Sequence, residues 1–358
     1  METWSNWSNT FDSLIKILYN FFIVSKSSQI YFVLIFIILI SSCQSEKSNY
    51  ILVTNTGQAQ GTYYHIKYII ENGESLKTDI DSLLTVIDNS LSTYNSNSLI
   101  SKLNRGEEVL TDSLFRTVYR AANQVYINTD GAFDCSIAPL VNAWGFGFTN
   151  KEDMDTLKVS RLIDLIDFKK IKLRNDSVFI PKKMMLDFNS IAQGYTVDLI
   201  AEMFDIQGLN NYLIEVGGEI RSKGKNADNN TWRVGVDRPN EFIDQKDRFQ
   251  FILDLHNTSL ATSGNYRKFY IENGVKYSHI INPLTGFPAL NKLMSVTVIH
   301  ESCMKADAYA TAFMVMGLKK SKDYLQKNND LEAYIVYRNL DGELQVYVSE
   351  NFQERIVN

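Results

Sequence analysis

Residues 30–40 are apolar without a break, and they divide the chain. A membrane-spanning helix needs about 20 such residues, so this run is too short for a comfortable span. It has the length of a signal-peptide core, with Lys26 as a positive flank before it. Ser41 and Ser42 follow, then Cys43 and the polar stretch 44–49. Two readings fit this pattern: a cleaved signal, or an uncleaved anchor with a chance cysteine. In either case the globular part of the chain must lie beyond it.

Small residues leading into a cysteine resemble a bacterial lipobox, in which the cysteine is acylated and becomes the first mature residue. The expected organisation is a leader over 1–42, a tether over 43–60 and a single domain over 61–358. Residues 1–25 fit neither reading, which points to a start codon further in. Lipid chains hold a protein to a membrane by ~0.8 kcal/mol per buried methylene, and two chains anchor stably. The domain is therefore expected in the bacterial cell envelope, on the periplasmic side, with Cys43 as the lipidation site.

The formal charge of −5 excludes a basic footprint for nucleic acid. It also means that an anionic ligand needs a local cation, because the overall field does not attract it. With Cys43 assigned to the lipid, Cys135 and Cys303 remain. They can pair or stay as thiols; their apolar flanks favour small buried thiols.

Residues 61–70 are aromatic and β-branched and read as a strand. Apolar residues at helical spacing predict helices over 76–91 and 112–128, the second with Leu114, Val118, Ala121, Val125 and Tyr126 inward. A third helix is expected over 195–204, then a strand at Tyr212–Val216 closed by Gly217 and Gly218. The C-terminal half reads as mostly β, with strands at Phe249–Leu255 and 294–300. A hairpin spans 268–281 with Asn273-Gly274 at its tip, as a type I′ turn prefers. A helix over 305–316 ends at Gly317. Helices and strands alternate without a strict βαβ rhythm, which predicts an α+β fold: mixed, largely antiparallel sheets with packed helices.

Four segments carry residues fit for chemistry. Asp307 and Thr311 lie four apart in a helical stretch, so they share a face. Both offer hard oxygen atoms of the kind magnesium takes in small number. An ordinary helix with an acidic first turn gives the same spacing. The stretch 187–198 (DFNSIAQGYTVD) breaks from extended to helical and presents backbone groups at the turn. Thr262, Ser263 and Gly264 can hold phosphate, and His279 titrates where a general base must. The run 131–147 (GAFDCSIAPLVNAWGFG) suits either a core segment or an aromatic wall.

These blocks, with LSTYNSNSLISKLN (91–104), EVGGEIRSKG (215–224), HIINPLTGFP and KADAYATAFMVMG, resemble in order and spacing the ApbE family of FAD:protein FMN transferases. The resemblance runs from Gly61 to beyond Gly317. It implies that FAD is the substrate and that its FMN half is joined to a Thr or Ser hydroxyl of an acceptor protein, with AMP leaving. It also implies Mg²⁺, and acceptors that are subunits of membrane redox pumps such as sodium-translocating NADH:quinone reductase and Rnf-type complexes. By the same resemblance, Asp307 and Thr311 are metal ligands, and Ser190 gives a backbone carbonyl. Tyr94, Ala132, Phe133, Asp134, Asp187 and Gln193 match flavin-nucleotide contacts. His279 matches the base, or the group that positions the acceptor hydroxyl, and Asp307 is counted with it as catalytic. The chain departs from the family pattern at Gln60 (often Met), Gln193 (Lys or Glu), Ser190, Asn282 (Asp) and Ala310 (Asp in some members). Two alternatives stay open: hydrolysis of FAD to FMN and AMP, and a non-catalytic exported flavin-binding lipoprotein.

Overall fold

The computed structural model describes residues 50–357, apart from 72, 148–149, 240–247, 267–268 and 273–274. The apolar run and Cys43 lie outside the described residues. The chain opens with strands β1 (Tyr50–Ala59) and β2 (Thr62–Glu71). Helices α1 (Lys77–Leu91), α2 (Leu99–Asn104), α3 (Ser113–Asn128), α4 (Ala138–Ala143) and α5 (Thr156–Ile163) follow. A small hairpin, β3 (Lys172–Arg174) and β4 (Ser177–Phe179), precedes α6 (Ala192–Ile206). Next come β5 (Tyr212–Val216), β6 (Glu219–Lys223), β7 (Trp232–Asp237), β8 (Phe249–Leu255), β9 (Ser259–Gly264), β10 (Phe269–Glu272), β11 (Val275–Ser278) and β12 (Leu293–His300). The chain ends with α7 (Cys303–Leu325), β13 (Glu332–Arg338), β14 (Leu344–Val348), α8 (Glu350–Gln353) and β15 (Ile356–Val357).

Eight strands form one sheet in the order β1-β2-β5-β6-β9-β12-β13-β14, and every neighbouring pair is antiparallel. A three-stranded sheet, β15-β8-β7, is hydrogen-bonded separately and shares a core with the main sheet. The mixed, antiparallel α+β architecture is the one expected from the sequence.

β12 shows why the C-terminal half holds together. All eight of its residues are buried. Val296 and Val298 face the core that includes Phe313 of α7, whereas Met294 and Ile299 face the core shared with Val234, Leu253 and Phe352. A strand covered on both faces reads as a nearly continuous apolar run, as LMSVTVIH does. On the other half of the sheet, Ile80, Leu84, Val197, Ile200 and Phe204 of α1 and α6 cover Tyr64, Ile66 and Ile214.

Two expectations need correction. Residues 50–59, assigned to the tether, form β1, which pairs along its whole length with β2 from Tyr50↔Glu71 to Ala59↔Thr62. Its polar centre looks like a linker, yet an edge strand needs only backbone pairing. The two-residue turn is supplied by Gln60 and Gly61, both with positive φ (52° and 74°). The inner face of α3 is as expected but wider: Phe115, Tyr119 and Ala122 are buried with Val118 and Val125, and Leu114, Ala121 and Tyr126 pack partly buried against the same core. The extended run 184–188 makes one isolated bridge, Met185 to Ile137, and no strand. The expected helix end at Gly317 is borne out: that residue is non-helical and breaks α7, and a second helical stretch resumes beyond it to Leu325. Cys135 and Cys303 are both buried, free thiols.

Gly317 sits inside α7 at φ 76°, ψ 170°, a combination open essentially only to glycine. A Cβ there meets nothing closer than 3.7 Å, so the constraint is conformational and not steric. Gly317→Ala is expected to cost about 1–3 kcal/mol, read as a drop in the chemical-denaturation midpoint with an unchanged slope.

Candidate functional site

Asp307 lies in the second turn of α7 and is only 6% exposed. Its Oδ2 accepts a hydrogen bond from the Gly194 amide at 3.1 Å. Gly194 stands in the first turn of α6, where amides have no partner within their own helix. The two helices meet so closely that a Cβ on Gly194 would lie 2.3 Å from the Cys303 carbonyl oxygen and 2.8 Å from the Asp307 Cβ. Glycine is therefore required for Asp307 to be reached. Burial pushes the Asp307 carboxyl up from 3.8 to about 7, and only the Gly194 amide pulls the other way. Among the described residues no cationic side chain pairs with it.

Thr311 lies one turn further along α7, on the same face. Its hydroxyl is 3.0 Å from the Ser263 hydroxyl on β9, whose neighbour Thr262 bonds Thr297 of β12 at 2.9 Å. The third expected ligand, Ser190, lies in the turn before α6. Phe188 accepts from both Ile191 and Ala192 there. Because the Gly194 amide turns to Asp307, the Ser190 carbonyl stays outside the α6 ladder, as a backbone ligand must.

The segment carrying Asp187 is clamped from two sides. Asn104 exchanges two hydrogen bonds with Leu186 (2.7 and 2.8 Å), and the Asp187 amide donates to the Cys135 carbonyl at 2.8 Å. Asp187 Oδ1 accepts from the Asn189 amide at 2.7 Å, closing the turn. Burial raises the Asp187 carboxyl. Tyr94 is 65% exposed, and its hydroxyl is raised first by partial burial and then by the charge of Asp187. Burial, and after it the charges of Asp134, Asp187 and Asp307, raise the Cys135 thiol. The blocks around 94, 134, 187 and 307, far apart in sequence, thus act on one another electrostatically.

Other expected contacts have different placements. Ala132 and Phe133 are buried in the main core, and their amides are already taken by Thr129. Asp134 uses both oxygens to hold its own loop: Oδ1 takes the Ser136 amide and hydroxyl (2.7 and 2.6 Å), and Oδ2 takes the Phe168 amide (3.2 Å). Burial raises it to about 6. It also borders a cleft of about 280 Å³ with Tyr126, Asp167 and Leu284. None of Asp187, Ser190, Asp307 and Thr311 lines that cleft. Gln193 leans over the Gly217 turn, where a Cβ would come within 2.6 Å of its Nε2 and 3.0 Å of Glu219 Oε2. His279 is half-buried just after β11, its ring edge-on to Phe146 at 6.4 Å. It ends a row of aromatic contacts running Phe287, Trp144, Tyr277, Tyr270, Phe146.

Among the described residues no three His, Cys, Asp or Glu side chains converge as a metal cage. The donor set is one buried carboxylate, one hydroxyl and one turn carbonyl, all hard oxygens. That suits a small hard cation that keeps most of its ligands as water or phosphate, and an uncompensated buried carboxylate favours a cation nearby. Sequence reasoning missed the Gly194 amide and undervalued Ser263. The glycine carried a signal, standing in the first turn of a helix, but its partner lies 113 residues away.

The profile of the ApbE family matches residues 60–335. A Vibrio cholerae FAD:protein FMN transferase is 35% identical over 88% of this chain and 96% of its own length. Its Haemophilus influenzae counterpart is 31% identical over 85% and 90%. The solved structure of the Vibrio cholerae flavin transferase ApbE superposes with a TM-score of 0.77 at 34% identity, covering 86% of this chain and all (100%) of that one.

Asp307 titrates near 7 in the fold against an ordinary 3.8, so it binds a proton more tightly folded than unfolded. Its contribution to metal-free stability is full below pH 3.8 and lost as pH rises through about 7. Asp307→Asn should therefore melt higher than the parent in EDTA at pH 8, by roughly 2–4 °C per kcal/mol relieved. The gap should close towards pH 4. A parent that melts higher than the variant at pH 8 contradicts the buried-charge account.

Proposed function

The chain belongs to the ApbE family and is an FAD:protein FMN transferase, and from this we propose a Mg²⁺-dependent reaction that joins FMN to a Thr or Ser hydroxyl of an acceptor protein and releases AMP. The observation that carries the metal assignment is the buried Asp307 carboxylate, which has no cationic neighbour among the described residues. Asp307, the Thr311 hydroxyl and the Ser190 carbonyl are the groups that would hold the ion. When bound, Mg²⁺ neutralises charge on the diphosphate of FAD and on the transition state.

Phosphoryl transfer asks the protein for alignment more than for covalent chemistry. The acceptor oxygen attacks the phosphorus of the FMN half and the bond to the bridging oxygen breaks. AMP departs with that oxygen, and the hydroxyl proton goes to His279. The imidazole suits the task because its ordinary pKa lies near neutrality. The contact with Phe146 limits ring rotation. Ser263, hydrogen-bonded to Thr311, keeps that hydroxyl turned to a fixed side. Tyr94 is exposed beside Asp187; on this reading it would cover a planar ring, and Asp187 and Gln193 would contact the nucleotide, as the family resemblance implies.

The acceptor we propose is a subunit of a membrane redox complex of the sodium-translocating NADH:quinone reductase or Rnf kind. A lipid on Cys43 would hold the enzyme at the same membrane face, outside the cytoplasm. Both readings rest on the sequence and on family membership.

Incubated with FAD, Mg²⁺ and such an acceptor subunit, the protein should leave fluorescent flavin on the denatured acceptor. Asp307→Ala should reduce this by more than the roughly 10–100-fold that loss of an outer-shell partner costs. Release of FMN at the turnover rate without acceptor would identify a hydrolase instead, and intact FAD after long incubation a binding protein. Cys43→Ala should move the protein from the membrane to the soluble fraction; unchanged membrane association would rule out the lipid.

A further inference from the structure

Asp198 lies on α6 one turn beyond Gly194, with its side chain 15% exposed. Its carboxylate carries four donors. Oδ1 accepts from the Cys303 amide at 3.0 Å and from the Arg221 guanidinium of β6. Oδ2 accepts from the Ser302 hydroxyl at 2.7 Å and the Met304 amide at 3.0 Å. Two of these donors are the first amides of α7, which have no acceptor inside the helix. An anion is also favoured there by the helix dipole.

The usual capping position of α7 is already filled. Ser302 Oγ accepts from the Lys305 amide at 3.4 Å, and the Ser302 amide donates to His300 Nδ1 at 2.8 Å. Asp198 is thus a cap supplied by another helix, and it adds a constraint that a local cap cannot. Gly194 and Asp198 are four residues apart on α6; Cys303 and Asp307 are four apart on α7. At 1.5 Å per residue, each pair spans about 6 Å. α6 therefore grips α7 at two points one turn apart: the Gly194 amide on Asp307, and the Asp198 carboxylate on Cys303. One grip leaves α7 free to turn about it; two set both its rotation and its axial position. There is little slack, since a Cβ on Gly194 already collides with the Cys303 carbonyl.

We infer that Asp198 is a positioning residue for the metal, acting through the N-terminus of α7 to hold Asp307 and Thr311 in register with the turn at Ser190. It does not touch the ligands or the reacting atoms. This inference rests on the reading of Asp307 and Thr311 as metal ligands.

The test uses the full chain with FAD and titrates Mn²⁺ by the loss of its free-ion spin-resonance signal, with Mg²⁺ as competitor. Asp198→Ala should weaken Mn²⁺ binding about 10-fold or more, the range for losing an outer partner of a ligand. Saturating Mg²⁺ should restore most of kcat. Asp198→Asn keeps one acceptor oxygen, folds more readily and should fall between. As a structural control, Asp155→Ala removes an ordinary cap, the 2.7 Å bond to the Lys158 amide of α5. It should lower the melting temperature without moving the Mn²⁺ affinity. If both Asp198 variants melt lower but bind Mn²⁺ like the parent, Asp198 is only structural and the inference fails. If Asp307→Ala also binds Mn²⁺ like the parent, the metal assignment itself has failed.

Discussion

A carboxylate buried without a cation is costly, and the fold around Asp307 is arranged to keep one. Helix α7 carries it into a core of small and aromatic side chains, where water cannot stabilise the charge. The single amide that α6 offers does not balance that cost, which is why the group is shifted so far from its ordinary titration range. The protein keeps a local deficit of positive charge at the place where a divalent ion and a diphosphate would meet. On the proposed reading, net acidity elsewhere on the chain would be no obstacle to binding an anionic substrate, because attraction would be delegated to one point.

The long antiparallel sheet serves this arrangement indirectly. Strands β9 and β12 form the floor on which α7 lies, and β9 ends at the hydroxyl that meets Thr311. Strands β5 and β6 support α6. The turn at Ser190, the first amides of α6 and the second turn of α7 come together because two helices share one sheet face and cross without side-chain volume between them. Asn104 adds a further tie, using its side-chain amide as a substitute strand for Leu186.

Much of this was legible in the chain. Apolar periodicity located α1 and α3, the helices α6 and the start of α7 were also expected, and β-branched, aromatic or alternating runs located β2, β5, β8 and β12. What escaped was set by tertiary contacts. β1 looked like a linker because an edge strand can be polar and still pair. The break at Gly317 was legible, but the second helical stretch that resumes beyond it to Leu325 was not. The pairing of Asp307 with Thr311 was visible from spacing, but their role came from family resemblance. Asp134 matches a nucleotide contact by motif position, and in this chain its carboxylate also holds its own loop through Ser136 and Phe168. Gly194 and Asp198 could be read only in part, since each acts on a segment more than a hundred residues away.

The order of strands in the main sheet bears on how the chain reaches this state. β2 pairs with β5, and β6 with β9, across long stretches of intervening sequence, so few of the decisive contacts are local. Chains of such high contact order close their loops late and fold slowly. Gly194, Ser263 and the α7 pair Asp307 and Thr311 belong to three separate stretches, joined in the folded chain by the bonds of α6 and β9 to α7. If Asp307 and Thr311 hold the proposed ion, partly folded chains would offer only isolated oxygen ligands, each too weak to retain it. On the proposed reading, metal capture would be the last event of folding, and the ion would discriminate finished molecules from unfinished ones.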